Sequence, residues 1–227
     1  VASDCNPDWR RDSNPRSTMD LHGNGIRYLS LEDDIRFTDI NTLETIQTAW
    51  VASNDGILVY DANQSGSVET LDEFVLTRLS TQASTDLEAL AEAFDTNQDG
   101  ILNALDTDFE SFAIWQDLNA DGMSDDGELI SLSDLSIKSI DLIYFEDSQS
   151  RIDGEGDVEI FGQFNINDED GAIGLAEDAR FAFRSVSEEQ TNSNLTTNNH
   201  DAKETNQEKK VTKIKSTYCT RATITCS

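Results

Sequence analysis

The sequence has few cysteines, prolines and histidines, and little positive charge. Of its 227 residues, 3 are Cys and 2 are His, while 16 Lys and Arg stand against 45 Asp and Glu, a formal net charge of −29. The three cysteines, Cys5, Cys219 and Cys226, lie near the ends, and their odd number argues against a disulfide framework. With two histidines and no C-x-x-C spacing, a Ser-His-Asp arrangement and a zinc site have almost no candidates.

The excess of acids argues against two classes of partner. A strongly negative surface repels phosphates, so neither nucleic acid nor insertion into an anionic membrane is expected. No unbroken apolar run reaches about 18 residues, so no membrane-spanning helix is expected. No charged and apolar leader follows Val1, so no cleavable secretory signal is expected. What such a chain attracts is hard cations.

The negative charge is concentrated in the middle of the chain. The two ends take 9 of the 16 bases and 8 of the 45 acids, which leaves 7 bases and 37 acids, net −30, in residues 20–184. The polar composition of the ends predicts a flexible lead-in over 1–19 and a disordered tail over 185–227. Residues 20–184 are the predicted folded module.

Hydrophobic periodicity predicts helices first and strands later. Apolar residues at helical spacing predict a helix over 84–94, with Ser84 or Thr85 as N-cap, and shorter helices over 72–79 and 107–116. Alternation predicts strands over 158–166 and 175–183, with another over 139–145. This order indicates an α+β fold, with EF-hand-like helix–loop–helix calcium loops followed by a small antiparallel β region.

Three segments share the spacing of an EF-hand calcium loop. They begin at Asp61, Asp95 and Asp117, and each has oxygen side chains at positions 1, 3 and 5, glycine at position 6 and an acid at position 12. Ca²⁺ takes six to eight oxygens, including a backbone carbonyl from position 7, so about three Ca²⁺ sites are predicted. The predicted ligands are Asp61, Asn63, Ser65, Ser67, Glu69, Asp72 and Glu73 in loop 1, Asp95, Asn97, Asp99, Ile101, Asn103 and Asp106 in loop 2, and Asp117, Asn119, Asp121, Met123, Asp125 and Glu128 in loop 3.

An alternative reading treats the same segments as Asx-rich turns on an acidic surface, which Asp, Asn and Gly favour by themselves. Three such loops, each closed by an acid at position 12, argue against chance. Loops 2 and 3 are too close in sequence for ordinary paired EF-hands, which indicates another framework.

Longer stretches carry a family resemblance. FDTNQDGILNALDTDF (94–109) and IWQDLNADGMSDDGELISLSDLSIKSIDL (114–142) resemble the calcium-dependent self-processing module of RTX-type secreted bacterial proteins. The resemblance implies a module that folds on Ca²⁺, in an extracellular or cell-surface protein. In some members it also implies cleavage of an Asp-Pro bond and coupling of the new carbonyl to a lysine amine.

This chain departs from that family at its start. No Asp precedes Pro, and the upstream pair is Asn14-Pro15, whose amide is a weak nucleophile. In the early loop from Asp20 to Gly25, His22 replaces an oxygen ligand, and a further loop near 38–44 lacks its glycine. The calcium scaffold is therefore expected without the self-cleavage reaction.

These inferences predict a calcium-binding module of an exported bacterial protein, with folding coupled to Ca²⁺ binding. Two alternatives remain open from the sequence. One is a calcium-dependent autoproteolytic or isopeptide-forming module, and the other is a dockerin-like module that binds another protein.

Overall fold

The computed structural model describes residues 10–11, 14–145 and 149–186. The three cysteines, His200 and all but two residues of the predicted tail lie outside these ranges. For residues 10–11 the backbone alone is described.

Strands account for most of the regular structure in these ranges. Those before loop 1 are β1 (Arg10–Arg11), β2 (Arg16–Met19), β3 (Tyr28–Leu29), β4 (Ile35–Thr38), β5 (Thr45–Thr48), β6 (Trp50–Val51) and β7 (Gly56–Tyr60). Those after it are β8 (Ile101–Asn103), β9 (Phe112–Trp115), β10 (Leu129–Ser131), β11 (Ser139–Asp141), β12 (Arg151–Asp153), β13 (Val158–Asn167) and β14 (Ala172–Ser185). One α-helix, α1, spans Asp86–Ala93, and short 3₁₀ helices lie at Leu31–Asp33, Leu71–Glu73, Leu76–Leu79, Phe109–Ser111 and Gly154–Gly156.

Twelve of these strands form one antiparallel sheet. Its main path runs β10-β9-β7-β2-β14-β13-β11-β8, and β3 pairs with β6 separately. Strand β14 is the longest and pairs with β13, β2, β5 and β1. The first strands of the chain therefore meet the last one at the centre of the sheet.

Two apolar clusters pack against the sheet. One is aromatic, with the Trp50 and Trp115 rings 5.2 Å apart and edge-to-face, an arrangement that the ring quadrupoles favour. The other contains Leu90 of α1 and Phe164 of β13. Burial alternates along β13, so the predicted strand over 158–166 is confirmed.

Helix α1 lies where the periodicity predicts it. The Thr85 hydroxyl accepts a hydrogen bond from the Glu88 backbone N–H at 3.2 Å, which caps the first turn. Leu87 and Leu90 are buried on its inner face. This helix was correctly predicted because period, cap and tertiary burial agree.

The predicted helix–loop–helix fold class is wrong. Segment 107–116 forms a 3₁₀ turn and then β9, because Phe112–Trp115 are buried together between β7 and β10, as in a central strand. Segment 72–79 forms two 3₁₀ turns. Strand β8 lies within loop 2, and loop 3 leads into β10. The fold is mostly antiparallel β with one α-helix in the described ranges.

The remaining strand prediction, over 139–145, holds for its first part only. Strand β11 ends at Asp141, and the residues after it leave the sheet. In the part of the chain that is described, no helix is long and apolar enough to cross a membrane.

Core packing predicts the cost of removing Phe164, which is fully buried. Phe164→Ala is expected to lower the free energy of unfolding by about 3–5 kcal/mol, because a large side chain leaves a cavity. Urea denaturation measures this. Ile152→Ala, on a side chain that is 53% exposed, should change stability by less than about 0.5 kcal/mol. Equal effects of the two variants would contradict the assigned core.

Candidate functional site

The three predicted loops share one backbone conformation. Positions 4 and 6 have positive φ in each: Gln64 and Gly66, Gln98 and Gly100, Ala120 and Gly122. The first carboxylate of each loop accepts the backbone N–H groups of positions 5 and 6, at 3.0 and 3.0 Å for Asp61, 3.2 and 2.9 Å for Asp95, and 3.2 and 2.8 Å for Asp117. The common spacing therefore produces a common turn.

Loop 3 is the most deeply buried of the three at its first residue. Asp117 is 1% exposed, and its Oδ2 also accepts a hydrogen bond from Trp50 Nε1 at 2.9 Å. Burial raises the pKa of Asp117, with smaller upward contributions from Glu128 and Asp121. This carboxylate connects the loop directly to the aromatic cluster.

The closing acids of loops 2 and 3 bind across their loops. Glu128 Oε1 accepts the Leu118 N–H at 2.8 Å, and Oε2 accepts the Asp125 N–H at 3.0 Å. Asp106 does the same for positions 2 and 9 of loop 2, at 2.9 and 3.0 Å. Each closing carboxylate thus holds both halves of its loop.

Loop 1 closes differently. Glu73, at position 13, accepts the Glu69 and Thr70 N–H groups at 2.8 and 2.7 Å. Asp72, at position 12, instead pairs with Arg78 at 2.7 Å, and both side chains are largely exposed. The structure therefore separates Asp72 from the other predicted ligands of this loop.

Side chains at positions 3 and 5 lie at the exposed side of loops 2 and 3. Asn97 Nδ2 donates to Asp99 Oδ2 at 2.9 Å, and Asn119 Nδ2 donates to Asp121 and Asp125 at 3.0 and 3.1 Å. In loop 1, Ser65 Oγ donates to the Ser67 carbonyl at 3.0 Å. Ile101 is partly buried and Met123 is 59% exposed, each at position 7.

A fourth turn of the same kind occurs where the sequence showed only a degenerate loop. Asp20 Oδ1 accepts the Asn24 N–H at 3.2 Å and Oδ2 accepts the Gly25 N–H at 2.7 Å, again positions 5 and 6. Gly23 and Gly25, at positions 4 and 6, have φ of 68° and 85°. Although burial raises the pKa of Asp20, its four backbone N–H bonds leave the pKa lowered overall.

The closing acid of this fourth turn comes from elsewhere in the chain. Asp55 is 1% exposed, and its Oδ2 accepts the Arg27 N–H, at position 8, at 3.0 Å. Burial raises the pKa of this carboxyl, and the backbone N–H groups of Arg27 and Leu21 lower it by less. Sequence reasoning missed Asp55 because it lies 35 residues from Asp20.

The predicted early loop near 38–44 is the turn between β4 and β5. Asp39 Oδ1 accepts the Asn41 and Thr42 N–H groups, both at 2.9 Å, and Oδ2 accepts the Leu71 N–H at 2.9 Å. These bonds lower the pKa of Asp39 although burial alone would raise it. The turn is thereby fixed to the 3₁₀ helix that follows loop 1.

Within the described residues, no group of three or more His, Cys, Asp and Glu side chains is arranged to hold a metal ion. The first carboxylate of each loop and the carboxylates of Glu73, Asp106 and Glu128 instead bond to backbone N–H groups of their own loops. The interpretation as an EF-hand-like, RTX-type calcium-binding module is therefore wrong: α1 precedes loop 2, but no α-helix follows it in the described residues, and loop 3 lies between strands β9 and β10.

Comparison with known proteins identifies the family. The sequence model of the SPM domain matches residues 18–182, which is most of the chain. The chain belongs to the SPM domain family. It is also similar to the iron-regulated protein FrpA of Neisseria meningitidis serogroup C, with 38% identity over 136 residues, covering 56% of this chain and 12% of that relative.

These findings correct the predicted function. The SPM domain match and the FrpA relative give no indication of calcium-coupled folding in an exported module, and the β fold removes the helix–loop–helix framework. The autoproteolytic and dockerin-like alternatives are wrong for the same reason, because both require the same calcium-binding loops. The predicted loops are present in the structure as turns whose backbone N–H groups are capped by carboxylates, on a β domain.

The hydrogen bonds of Asp117 predict a large effect on stability. Asp117→Ala leaves Trp50 Nε1 and two backbone N–H groups without their acceptor, so the free energy of unfolding should fall by about 2–5 kcal/mol. Urea denaturation in the presence of a chelator measures this. The exposed Asp126→Ala is the control, expected within about 0.5 kcal/mol of the parent. Unchanged stability of the Asp117 variant would contradict the capping role.

Proposed function

We propose that this SPM domain is a connector within a longer protein, which holds the chain segments that precede and follow it side by side. The observation that carries the proposal is the pairing of the first strands with the last. Strands β1 and β2 both run antiparallel to β14. Neighbouring strands lie about 4.8 Å apart, so the two ends of the domain are close together.

The register defines where the domain closes. Met19 pairs with Ala176, Arg16 with Ala179, and Arg10 with Phe183. The family match begins in β2 and ends in β14, so the shared domain coincides with this closure. The family match therefore starts and ends in the two strands, β2 and β14, that pair to close the sheet.

Buried polar contacts hold the closing strands together. Thr18 Oγ1 lies 3.0 Å from the Glu177 carbonyl of β14 and 2.7 Å from Tyr28 Oη, and its one hydroxyl hydrogen donates to either oxygen. The Glu177 carboxylate accepts two bonds from Arg151, at 2.6 and 2.9 Å, and one from Tyr28 at 2.9 Å. Thr18 and Glu177 are buried, so water competes little for their contacts, whereas the Arg151 side chain is 38% exposed.

The comparison with FrpA supports a place within a longer protein, because the match covers 12% of that relative. The name of the relative describes a protein regulated by iron, and regulation of the longer protein by iron is part of this proposal. An extracellular or cell-surface location stays a prediction.

Insertion into a host protein tests the connector role. Residues 10–186 inserted into a surface loop of a fluorescent reporter should leave the reporter fluorescent, because adjacent ends fit a closed loop. The same insertion with Thr18→Pro should abolish fluorescence, since proline in a central strand breaks the closure. If the isolated domain is folded but the reporter that carries the inserted domain does not fluoresce, the proposal is contradicted.

Occupancy of loops 1 to 3 by Ca²⁺, about three ions in all, stays a prediction that rests on ligand type alone. Isothermal titration of chelator-treated full chain should then show about three equivalents, and Glu128→Gln should lose one. Asp126→Asn is the control and should retain all of them. Absence of binding at millimolar Ca²⁺ would contradict the prediction.

A further inference from the structure

Two acidic residues are in contact in the interior, away from the loops. Asp86 is the first residue of α1 and Asp178 lies in the middle of β14, and both are 0% exposed. The Asp86 backbone N–H donates to Asp178 Oδ2 at 3.1 Å, so the two residues are in direct contact. The charge on Asp178 acts on the Asp86 carboxyl, and two ionised carboxylates repel strongly in a medium of low dielectric constant.

The described hydrogen-bond donors to this pair are uncharged. Asp86 accepts the Thr77 N–H at 2.9 Å and the Ser17 N–H at 3.0 Å. Asp178 Oδ2 accepts the Tyr144 hydroxyl at 2.7 Å, and the Leu87 backbone N–H also bonds to the Asp178 carboxyl. None of these donors supplies a positive charge to the pair.

The charges that surround the pair leave it one positive charge short. Arg16 of β2 acts on Asp86 and is 1% exposed, with its guanidinium over the rings of Phe74 and Phe181. Arg180 also acts on Asp178, but it is paired with Glu159 at 3.4 Å. Other charged groups on the packed elements have their own contacts: Glu177 with Arg151, Arg78 with Asp72, and Glu88 with the Ser84 N–H. Counted with Glu159, three carboxylates and two guanidinium groups carry a net −1, which one proton neutralises.

We propose that Asp86 and Asp178 share one proton in the folded domain, and that the pair is a pH-sensitive latch which weakens when this proton is lost. The pair joins four elements, since Asp86 binds β2 and the 3₁₀ helix at Leu76–Leu79 while Asp178 joins β14 to the start of α1. Strand β7 pairs with Thr18 and Met19, and the Ser17 N–H is bound by Asp86. The latch therefore acts on β2, one of the two strands that close the connector.

Electrostatics support the same conclusion. Burial raises the pKa of Asp178 from 3.8 to about 7. Burial, together with repulsion from Asp178, raises the pKa of Asp86 well above its usual range. Because the folded state binds the proton more tightly than the unfolded state, stability is highest near pH 4 and falls as pH rises through about 7.

The test is the pH dependence of unfolding of the full chain, with chelator present, between pH 5 and pH 7. The folding equilibrium constant of the parent should fall by up to about tenfold per pH unit, the slope of one proton. Asp178→Asn cannot ionise, still offers an acceptor to Tyr144, and should lose this slope. Asp170→Asn, on an exposed turn residue, should retain it. A flat profile in the parent, or the parental slope in Asp178→Asn, would overturn the proposal.

A second measurement covers the case in which the variant does not fold. Carbon-13 shifts of the Asp carboxyl groups in the parent protein should show one proton retained by the pair at pH 6. Full ionisation of both Asp86 and Asp178 at pH 6 would overturn the proposal independently of any substitution.

Discussion

The hydrogen bond from a backbone N–H to a buried carboxylate is the interaction on which this domain depends. Eleven Asp and Glu side chains are buried in the described residues, and all but Glu177 accept at least one backbone N–H. Bonds to a charged acceptor contribute about 1.5–3 kcal/mol each, roughly twice a neutral bond. A chain with net −30 in its middle can therefore fold by directing carboxylates at its own backbone instead of at scarce bases.

The same interaction places the strands. Carboxylate-capped turns precede β8 and β10, and Asp20 follows β2 directly. Asp55 and Asp39 reach from one segment to another, so they join turns that are distant in the chain. Asp86 and Asp178 accept the same kind of backbone hydrogen bond at the place where β2, β14 and α1 meet. The proposed connector role and the proposed latch therefore rest on one kind of bond.

Local features were predictable from sequence and tertiary ones were not. The cap at Thr85, the alternation along β13 and the glycine turns at Gly66, Gly100 and Gly122 are set by neighbouring residues. Segment 107–116 has helical spacing but becomes β9, because burial between two strands outweighs local propensity. Asp55, Asp86 and Asp178 gain their roles from contacts across the fold, which sequence spacing cannot show. The EF-hand spacing indicated the loop shape correctly and the flanking helices wrongly.

Amide hydrogen exchange tests the capping account most directly. The N–H groups of Gly25, Gly66, Gly100, Gly122 and Leu118 lie in turns, where amides normally exchange fast, yet each donates to a carboxylate. If the carboxylates cap these turns, the five N–H groups exchange about as slowly as the amides of the β13–β14 ladder. If the five exchange at the rate of unstructured peptides while the β13–β14 ladder is protected, the capping role is contradicted.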